Sequence, residues 1–532
     1  MPSVGALVFL SLLVLLAFLL PRGQCQFPME CLNAQLNSVR TECCPLEVPT
    51  DSATKCGGSG KGVCVDLDMK VYSQQFNRRK SSACEPNDPR IGWPYSFGIR
   101  RYCKCTKAWD GPGCTDCAEG YRKNEKGNCV ARSGTHAIVR RNALGMTDAE
   151  WITFWNVINQ AKMTPSNYLV YKGTATTTED TNPRLTGTVS FVKPVTVYNL
   201  IVWMHYYATK GNKSNKLVQC DFAHEQSGFL TWHRAWLLFV ERELRKLSAA
   251  PDNFAIPYWD WTDTSTVNQL FNNGAQSRMG RSFIANNGDK SAKTPDPSFN
   301  AIVNFKSSQW QTVCTDNKDA GPRIASECDP SKPEVGSYIT RCLGCRKDLL
   351  DSRALPTAAE QNRTIDCVKW LDSDPWDKTS KGTDSFRNSL EGWVNTTTLD
   401  KPGNAKYHEF HNRVHIYMGG TMADVSPAPN DPIFLLHHAN VDRIFEIWLK
   451  KTKKTKFIPD SSKKVHPGHA KNDWIVPIIP FVTHEDIFKT ASALGYAYDN
   501  TTVPSAAIHL TFPSLTQTFI VAVVAVIVQS FA

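Results

Sequence analysis

Residues 232–244 read WHRAWLLFVEREL, and this stretch decides the fold of the chain. Its apolar residues, among them Trp236, Val240 and Leu244, recur at the spacing of one helix face. His233 lies three residues before Trp236 and therefore shares the buried face. The stretch predicts a core helix that carries a polar ring into the protein interior.

A first cluster of histidines contains His205, His224 and His233. His205 belongs to the apolar run of residues 197–207, which we expect to form a buried helix. An amphipathic pattern over residues 148–158 also predicts a helix, which Asp148 or Thr147 can cap.

A second cluster contains His411 and His415, which lie one helical turn apart, so that both rings can reach one metal ion. His408 could in principle replace one of them. The pair His437 and His438 precedes a further core helix, but its periodicity does not decide which ring of the pair points inward.

A single histidine on an apolar helix face is most often a hydrogen-bonded core residue. Six of them on four buried helix segments are hard to explain in this way, because burying unpartnered rings costs on the order of several kcal/mol in total. A core of four helices with converging ligands can hold a dinuclear site. Imidazole ligands without carboxylates favour copper, with zinc as an alternative, over magnesium, calcium or manganese.

Two features of the N-terminal region indicate the secretory pathway. Residues 1–25 have the order of a signal peptide, with an apolar stretch before Cys25. Eleven of the 18 cysteines then lie between Cys31 and Cys129, which predicts a disulfide-stapled module over residues 26–135 with EGF-like spacing. The odd number of cysteines that remains after signal removal predicts at least one free thiol.

The C-terminal region predicts a membrane attachment. Residues 519–532 are largely apolar, and they fit a short membrane helix and a lipid-anchor signal equally well. We expect a catalytic domain over residues 136–490 and a stalk over residues 491–518. Glycosylation sequons stand at Asn212, Asn362, Asn395 and Asn500.

The net charge of +10 is spread along the chain, and a luminal location argues against nucleic acid as a partner. The predicted fold class is mainly α, with a four-helix-bundle catalytic core, long disulfide-pinned loops and the N-terminal cysteine-rich module. The loops are expected over residues 274–398, which are rich in Ser, Asn, Asp, Pro and Gly.

Several motifs resemble the two copper sites of animal tyrosinases. The first site is matched by VWMHYY at 202–207, DFAHE at 221–225, TWHR at 231–234 and PYWDW at 257–261. The second is matched by SFRNSLEG at 385–392, HNRVHIYM at 411–418 and NDPIFLLHH at 430–438. The resemblance covers nearly the whole chain, and these motifs are highly specific.

The resemblance implies a role for each matched position. One copper ion would be held by His205, His224 and His233, and the other by His411, His415 and His438. Glu391 and Asn412 match a pair that orders a water able to take the proton of a phenol. Val425 and Phe434 match residues that line the substrate entrance.

The function implied is the copper-dependent oxidation of phenols and catechols, such as tyrosine or DOPA, to o-quinones with dioxygen, feeding pigment or cross-linking. Two alternatives stay open. One is a zinc-dependent tautomerase of the tyrosinase-related branch that acts on a melanin precursor, and the other is a dioxygen carrier or a silent relative. We expect the protein in the secretory lumen, anchored to the membrane of a melanosome-like organelle or of the cell surface.

Overall fold

The structure is a computed structural model, which describes part of the chain. The residues described are 22–33, 38–39, 41–47, 51–78, 88, 90–174, 190–192, 195–209, 221–271, 278–279, 311–315, 328–332, 339–341, 343–344, 354–366, 385–393, 410–457 and 465–502.

The described part is rich in helices. They are α1 (Met69–Arg78), α2 (Asp148–Met163), α3 (Val197–Thr209), α4 (Phe229–Arg245), α5 (Ser265–Phe271), α6 (Ala358–Asp366), α7 (Phe386–Glu391), α8 (Phe410–Met418), α9 (Ile433–Thr452), α10 (His484–Ile487) and α11 (Ala491–Leu494).

The strands are short and form small sheets. They are β1 (Arg22–Pro28), β2 (Leu32–Asn33), β3 (Ser38–Val39), β4 (Glu42–Cys43), β5 (Gly62–Asp66), β6 (Arg101–Cys105), β7 (Trp109–Asp110), β8 (Asp116–Cys117), β9 (Tyr121–Lys123), β10 (Cys129–Ala131), β11 (Val139–Arg140), β12 (Tyr168–Thr174), β13 (Ser190–Val192) and β14 (Ala497–Tyr498).

Disulfides hold the cysteine-rich region together, as the sequence predicted. The pairs there are Cys31–Cys43, Cys44–Cys64, Cys56–Cys103, Cys105–Cys114 and Cys117–Cys129. A further pair, Cys314–Cys328, lies in the large domain. Small sheets with so little apolar core depend on such cross-links for their stability.

The predicted cap of α2 is confirmed. The Thr147 hydroxyl accepts the backbone N–H of Glu150, and the Glu150 carboxylate accepts the backbone N–H of Thr147. This capping box satisfies two N–H groups that a helix start leaves without a partner. The helix then runs to Met163 and buries Trp151 and Trp155.

Four helices surround the histidines, namely α3, α4, α8 and α9. Every residue of α3 is buried, and α4 begins at Phe229, four residues before His233. The helix α9 is buried from Ile433 to Leu449. Because these helices are buried on nearly all sides, they form the centre of the domain and not its surface.

The two ends of the helical region meet. Strand β11 pairs in parallel with β14, and Tyr496 and Tyr498 are 3% and 8% exposed. Strand β1 pairs with β12 in the antiparallel direction, so that Arg22 lies opposite Thr174. Residues 491–502 therefore pack on the catalytic part, although a stalk was expected to begin at residue 491.

Some predictions concern residues outside the described ranges. They include His408, Asn212, Asn395, the apolar residues 519–532 and most of the loops expected over 274–398. Within the ranges that are described, no helix is long and apolar enough to cross a membrane.

Candidate metal centre and pocket

The first histidine cluster brings together residues from two helices and a loop. His205 lies on α3 and His233 on α4, and one ring nitrogen of each, with one of His224, falls within 4.8 Å of the others. In each ring Nδ1 donates to an oxygen. The acceptors are Ser426 O at 3.3 Å for His205, Asp221 Oδ2 at 3.0 Å for His224 and Phe229 O at 2.8 Å for His233.

His224 corrects one expectation, since it does not lie on a helix. It belongs to an irregular segment between α3 and α4, in which Asp221 Oδ1 accepts the backbone N–H groups of Ala223 and His224. Glu225 follows in the left-handed region at φ +60°, which no helix accommodates. The loop geometry, and not helical periodicity, therefore places this ring.

The second cluster lies on α8 and α9. Nε2 of His411 is 3.1 Å from Nε2 of His415 and 3.3 Å from Nε2 of His438, and the last two atoms are 3.4 Å apart. Nδ1 of His415 donates to Met422 O at 2.8 Å, and Nδ1 of His411 contacts Asn412 Oδ1 at 3.0 Å. Three Nε2 atoms thus converge on one point.

The two clusters face each other. The rings of His233 and His438 stack with centroids 4.2 Å apart at an interplanar angle of 15°. The rings of His224 and His411 lie 6.5 Å apart. The sequence separates these histidines into two distant groups, and the fold joins them into one centre.

His437 is as deeply buried as His438, as both are 0% exposed. Its ring stacks on that of His411 at 5.0 Å, and neither of its nitrogens has a hydrogen-bond partner among the described residues. One of its nitrogens also lies within 4.8 Å of those of the second cluster. Burial therefore does not separate the two rings, whereas the convergence of Nε2 atoms singles out His438.

Burial favours the neutral form of most of these rings, so their lone pairs are available to a metal ion. Burial lowers the pKa of His205, His233, His411 and His438 well below the ordinary value, and that of His415 to about 4. Burial also opposes protonation of His224, but the Asp221 carboxylate raises its pKa.

The donor set fits a pair of soft-to-intermediate metal ions. Where Nδ1 donates, as in His205, His224, His233 and His415, Nε2 presents a lone pair. Within the described part, Nε2 of His205 and of His233 has no hydrogen-bond partner, and neither has Nδ1 of His438. Buried lone pairs that converge without a proton between them are unfavourable until a cation is shared. Imidazole held by a second hydrogen bond is the usual ligand geometry for copper or zinc.

A cavity of about 140 Å³ opens beside the two clusters. Phe434 is fully buried, and its ring stacks on His438 at 4.0 Å, while Val425 is 54% exposed at the rim. Glu391 and Asn412 line the same cavity. All four residues that were expected to act on substrate therefore border one space.

Glu391 is a buried carboxylate and not a surface group, since it is 1% exposed. Its Oε2 accepts from Arg387 Nη1 at 2.7 Å, and its Oε1 accepts the backbone N–H of Glu225 at 2.6 Å. These two donors fix the orientation of the carboxylate. The Nδ1 of His411 lies 3.2 Å from the backbone carbonyl of Glu391, which links this residue to the second cluster.

Sequence reasoning gave no role to Asp221 or Glu225. Asp221 orients His224, and its spacing of three residues before that histidine was an available signal. The backbone N–H of Glu225 donates to the Glu391 carboxylate, and a pattern of side chains does not predict a contact of the backbone.

Comparisons with known proteins agree with this centre. The family model for the common central domain of tyrosinase matches residues 195–451. A tyrosinase from Gallus gallus is 33% identical over 500 residues, which cover 92% of this chain and 85% of that protein. The chain belongs to the tyrosinase family.

A second relative of this tyrosinase-family chain is the 5,6-dihydroxyindole-2-carboxylic acid oxidase of Mus musculus. It is 29% identical over 508 residues, which cover 93% of the chain and 86% of the relative. Among solved structures, a mutant polyphenol oxidase from Thermothelomyces thermophila matches with a TM-score of 0.41 and 16% identity, over 68% of this chain and 88% of that one.

Membership in this family confirms the predicted type of enzyme. The protein is a tyrosinase-like oxidase, and its family uses a dinuclear copper site to oxidise phenols with dioxygen. The disulfides, together with the animal tyrosinase relatives, indicate a protein of the secretory pathway.

Proposed function

We propose that this enzyme oxidises tyrosine-like phenols and DOPA-like catechols to o-quinones at two copper ions. One ion is held by His205, His224 and His233, and the other by His411, His415 and His438. The single observation that carries the proposal is the set of Nε2 lone pairs that face one another across the stacked rings of His233 and His438. When bound, the two copper ions supply the activation of dioxygen and accept electrons from the substrate.

The side chains around the cavity would position the substrate. Phe434 offers a flat, immobile face against which an aromatic ring can pack, because it is held by stacking on His438. Val425 narrows the rim of the cavity and would contact the substituents of the substrate's aromatic ring. A cavity of about 140 Å³ accommodates one aromatic ring more readily than a large polycyclic substrate.

Glu391 and Asn412 would handle the phenolic proton. The carboxylate of Glu391 is fixed by Arg387 and by the Glu225 N–H, so that it can hold a water molecule at a constant place. A base acts only within hydrogen-bond reach of the proton that it takes, and both residues line the cavity. Deprotonation of the phenol at this site would prepare it for oxidation.

The quinone products would feed a melanin-type pigment or the cross-linking of proteins. This part of the proposal rests on the animal tyrosinases to which the chain is similar. We also propose anchoring through residues 519–532, in a melanosome-like organelle or at the cell surface, with luminal glycans. Asn500 supports the glycan proposal because it is exposed, whereas Oδ1 of Asn362 is buried.

The domain boundaries are also a proposal. The cysteine-rich module over residues 26–135 would be EGF-like, and the helices α3, α4, α8 and α9 would form the four-helix core. We extend the catalytic unit to about residue 502, because Tyr498 is buried and its hydroxyl donates to Asp442 Oδ2 at 2.6 Å. The signal peptide over residues 1–25, with cleavage near Cys25, also stays a proposal.

Oxygen uptake by the purified protein, loaded with copper and given L-tyrosine with a trace of L-DOPA, tests the proposal. Uptake is expected for the wild type and is lost in His415→Ala, which removes one converging Nε2. Metal analysis of the natively purified protein completes the test. Zinc in place of copper, with no uptake after copper loading, would overturn the proposal in favour of a tautomerase.

A further inference from the structure

Two histidines outside the metal centre pack behind the loop that carries His224. They are His469 and His484, both 0% exposed, on a segment more than 240 residues further along the chain. Neither was singled out by the sequence patterns. Their rings lie nearly parallel, with centroids 6.4 Å apart.

His469 forms hydrogen bonds with both ends of this loop. Its Nε2 donates to the backbone carbonyl of Asp221 at 2.6 Å, and its own carbonyl accepts the hydroxyl of Ser227 at 2.8 Å. Asp221 in turn holds Nδ1 of His224 with its carboxylate. A continuous chain of hydrogen bonds therefore runs from the buried ring of His469 to the ring of His224.

His484 fixes the segment that carries His469. Its Nε2 donates to the carbonyl of Gly468 at 2.7 Å, and this sets the tautomer in which Nδ1 is an acceptor. The Thr231 hydroxyl, on the first turn of α4, lies 2.7 Å from that Nδ1 and donates to it. The segment is thereby tied to the helix that presents His233.

The close approach of these rings depends on a glycine. A Cβ atom at Gly228 would lie 2.7 Å from Nδ1 of His469 and 2.8 Å from Cε1 of His484, closer than real contacts allow. Gly468 is similarly restricted, since a Cβ there would lie 2.3 Å from Cδ1 of Phe222. The loop and the segment behind it therefore have little room to move.

We infer that His469 is a positioning residue that orients His224, through Asp221, for metal binding. Among the six proposed ligands His224 alone lies on a loop, so its direction is not set by a helix backbone. Partners that orient a metal ligand typically change metal affinity by about 10- to 100-fold when they are removed. The inference rests on the proposed function, because it takes His224 as a copper ligand.

A matched pair of variants tests this role in the full-length protein. His469→Gln keeps an N–H donor of similar reach toward the Asp221 carbonyl, whereas His469→Met has similar length and no donor. Metal-free protein is titrated with cupric ion against a competing chelator, and copper per chain is measured. Thermal unfolding of the metal-free protein is followed in parallel.

We expect wild type to take up two copper ions and His224→Ala to take up one with high affinity. In His469→Met one of the two ions should bind about 10- to 100-fold more weakly, with unfolding of the metal-free protein close to that of wild type. His469→Gln should recover most of the affinity. If His469 had a purely structural role, His469→Met would lower the unfolding temperature and would weaken the binding of both copper ions to the same extent.

Two outcomes separate the inference from the proposed function. If wild type binds two ions through His224 and His469→Met binds both with wild-type affinity, the positioning role is wrong. If His224→Ala still binds two ions as wild type does, the ligand assignment itself fails. Should His469→Met not fold, Ser227→Ala removes the second grip on the loop with a smaller change, and an unaltered affinity there also overturns the inference.

Discussion

Arg234 and Asp442 form a buried ion pair between the two helices that present the stacked histidines. Nε of Arg234 donates to Oδ1 of Asp442 at 2.5 Å, and both side chains are at most 2% exposed. Arg234 directly follows His233, and Asp442 lies one helical turn beyond His438. The pair therefore fixes α4 against α9 next to the ring contact that joins the two halves of the centre.

Asp442→Asn should lower the free energy of unfolding by about 3 kcal/mol or more, as removal of one partner from a buried ion pair does. The reason is that Arg234 and Arg140, both buried, lose their shared carboxylate. Urea unfolding of the metal-free protein measures the change. The control is Glu485→Gln, which removes an exposed pair with Lys471 and should change the free energy by less than about 1 kcal/mol. Equal effects of the two substitutions would contradict the prediction.

The stability of the protein should rise with pH above neutrality because of Lys162. Burial lowers the pKa of this lysine from 10.5 to about 7. Between these values the unfolded chain binds more protons than the folded one, so the free energy of unfolding increases with pH, by up to about 1.4 kcal/mol per pH unit. Below pH 7 Lys162 is charged in the folded protein too, so its full destabilising effect is present and no longer changes with pH.

The matched variant for this prediction is Lys162→Met, which keeps the length of the side chain and removes the titrating amine. Urea unfolding at several values between pH 7 and pH 10 should give a flatter dependence than in wild type. Asn199 loses its contact with Lys162 Nζ at all of these values, so that loss shifts the whole curve without changing its slope. Parallel curves for the two proteins would show that Lys162 titrates normally.

Glu391→Gln should lower kcat for the oxidation of a monophenol by about 10²- to 10⁴-fold, the usual contribution of a general base. The amide keeps the shape of the side chain but has little basicity. Stopped-flow oxidation and copper analysis on the same sample are the measurements. Copper content at the wild-type level, together with the lower kcat, supports a role in proton transfer. A loss of copper with unaltered kcat per copper ion would assign Glu391 to holding His411 instead.

Val425→Phe should discriminate among substrates by size. A larger side chain at the rim narrows the access to the cavity, so kcat/KM should fall by about tenfold for catechols with bulky ring substituents and much less for catechol itself. Steady-state kinetics with the two substrates gives the ratio. Val63→Phe is the control, since Val63 is 60% exposed in the cysteine-rich region and is not among the residues that line the cavity. An equal loss for both substrates would show that the rim does not select by size.

Local patterns predicted the parts of the site that lie on regular elements. The period of residues 232–244 indicated α4, the spacing of His411 and His415 indicated one helix face, and Thr147 or Asp148 indicated the start of α2. These features depend on neighbours within one or two turns of the chain. The family resemblance then supplied the choice of His438 over His437.

Long-range contacts account for what the patterns missed. The direction of His224 is set by Asp221 and, through the carbonyl of Asp221, by His469. The role of residues 491–502 depends on the pairing of β11 with β14, which joins positions some 360 residues apart. No local period reports such contacts, and so the patterns place His224 on a helix and a stalk over residues 491–518.

The parallel pairing of β11 with β14 bears on how the enzyme would be released under the membrane anchoring that we propose. A protease that cuts between Thr502 and the apolar tail would shed a catalytic unit with its closing strand intact. A cut before Ala497 would instead remove Tyr498, whose hydroxyl hydrogen-bonds to Asp442 at 2.6 Å, and would leave the buried Arg140 short of a partner. The cleavage site that would release an intact catalytic unit and the one that would destabilise it thus lie only a few residues apart.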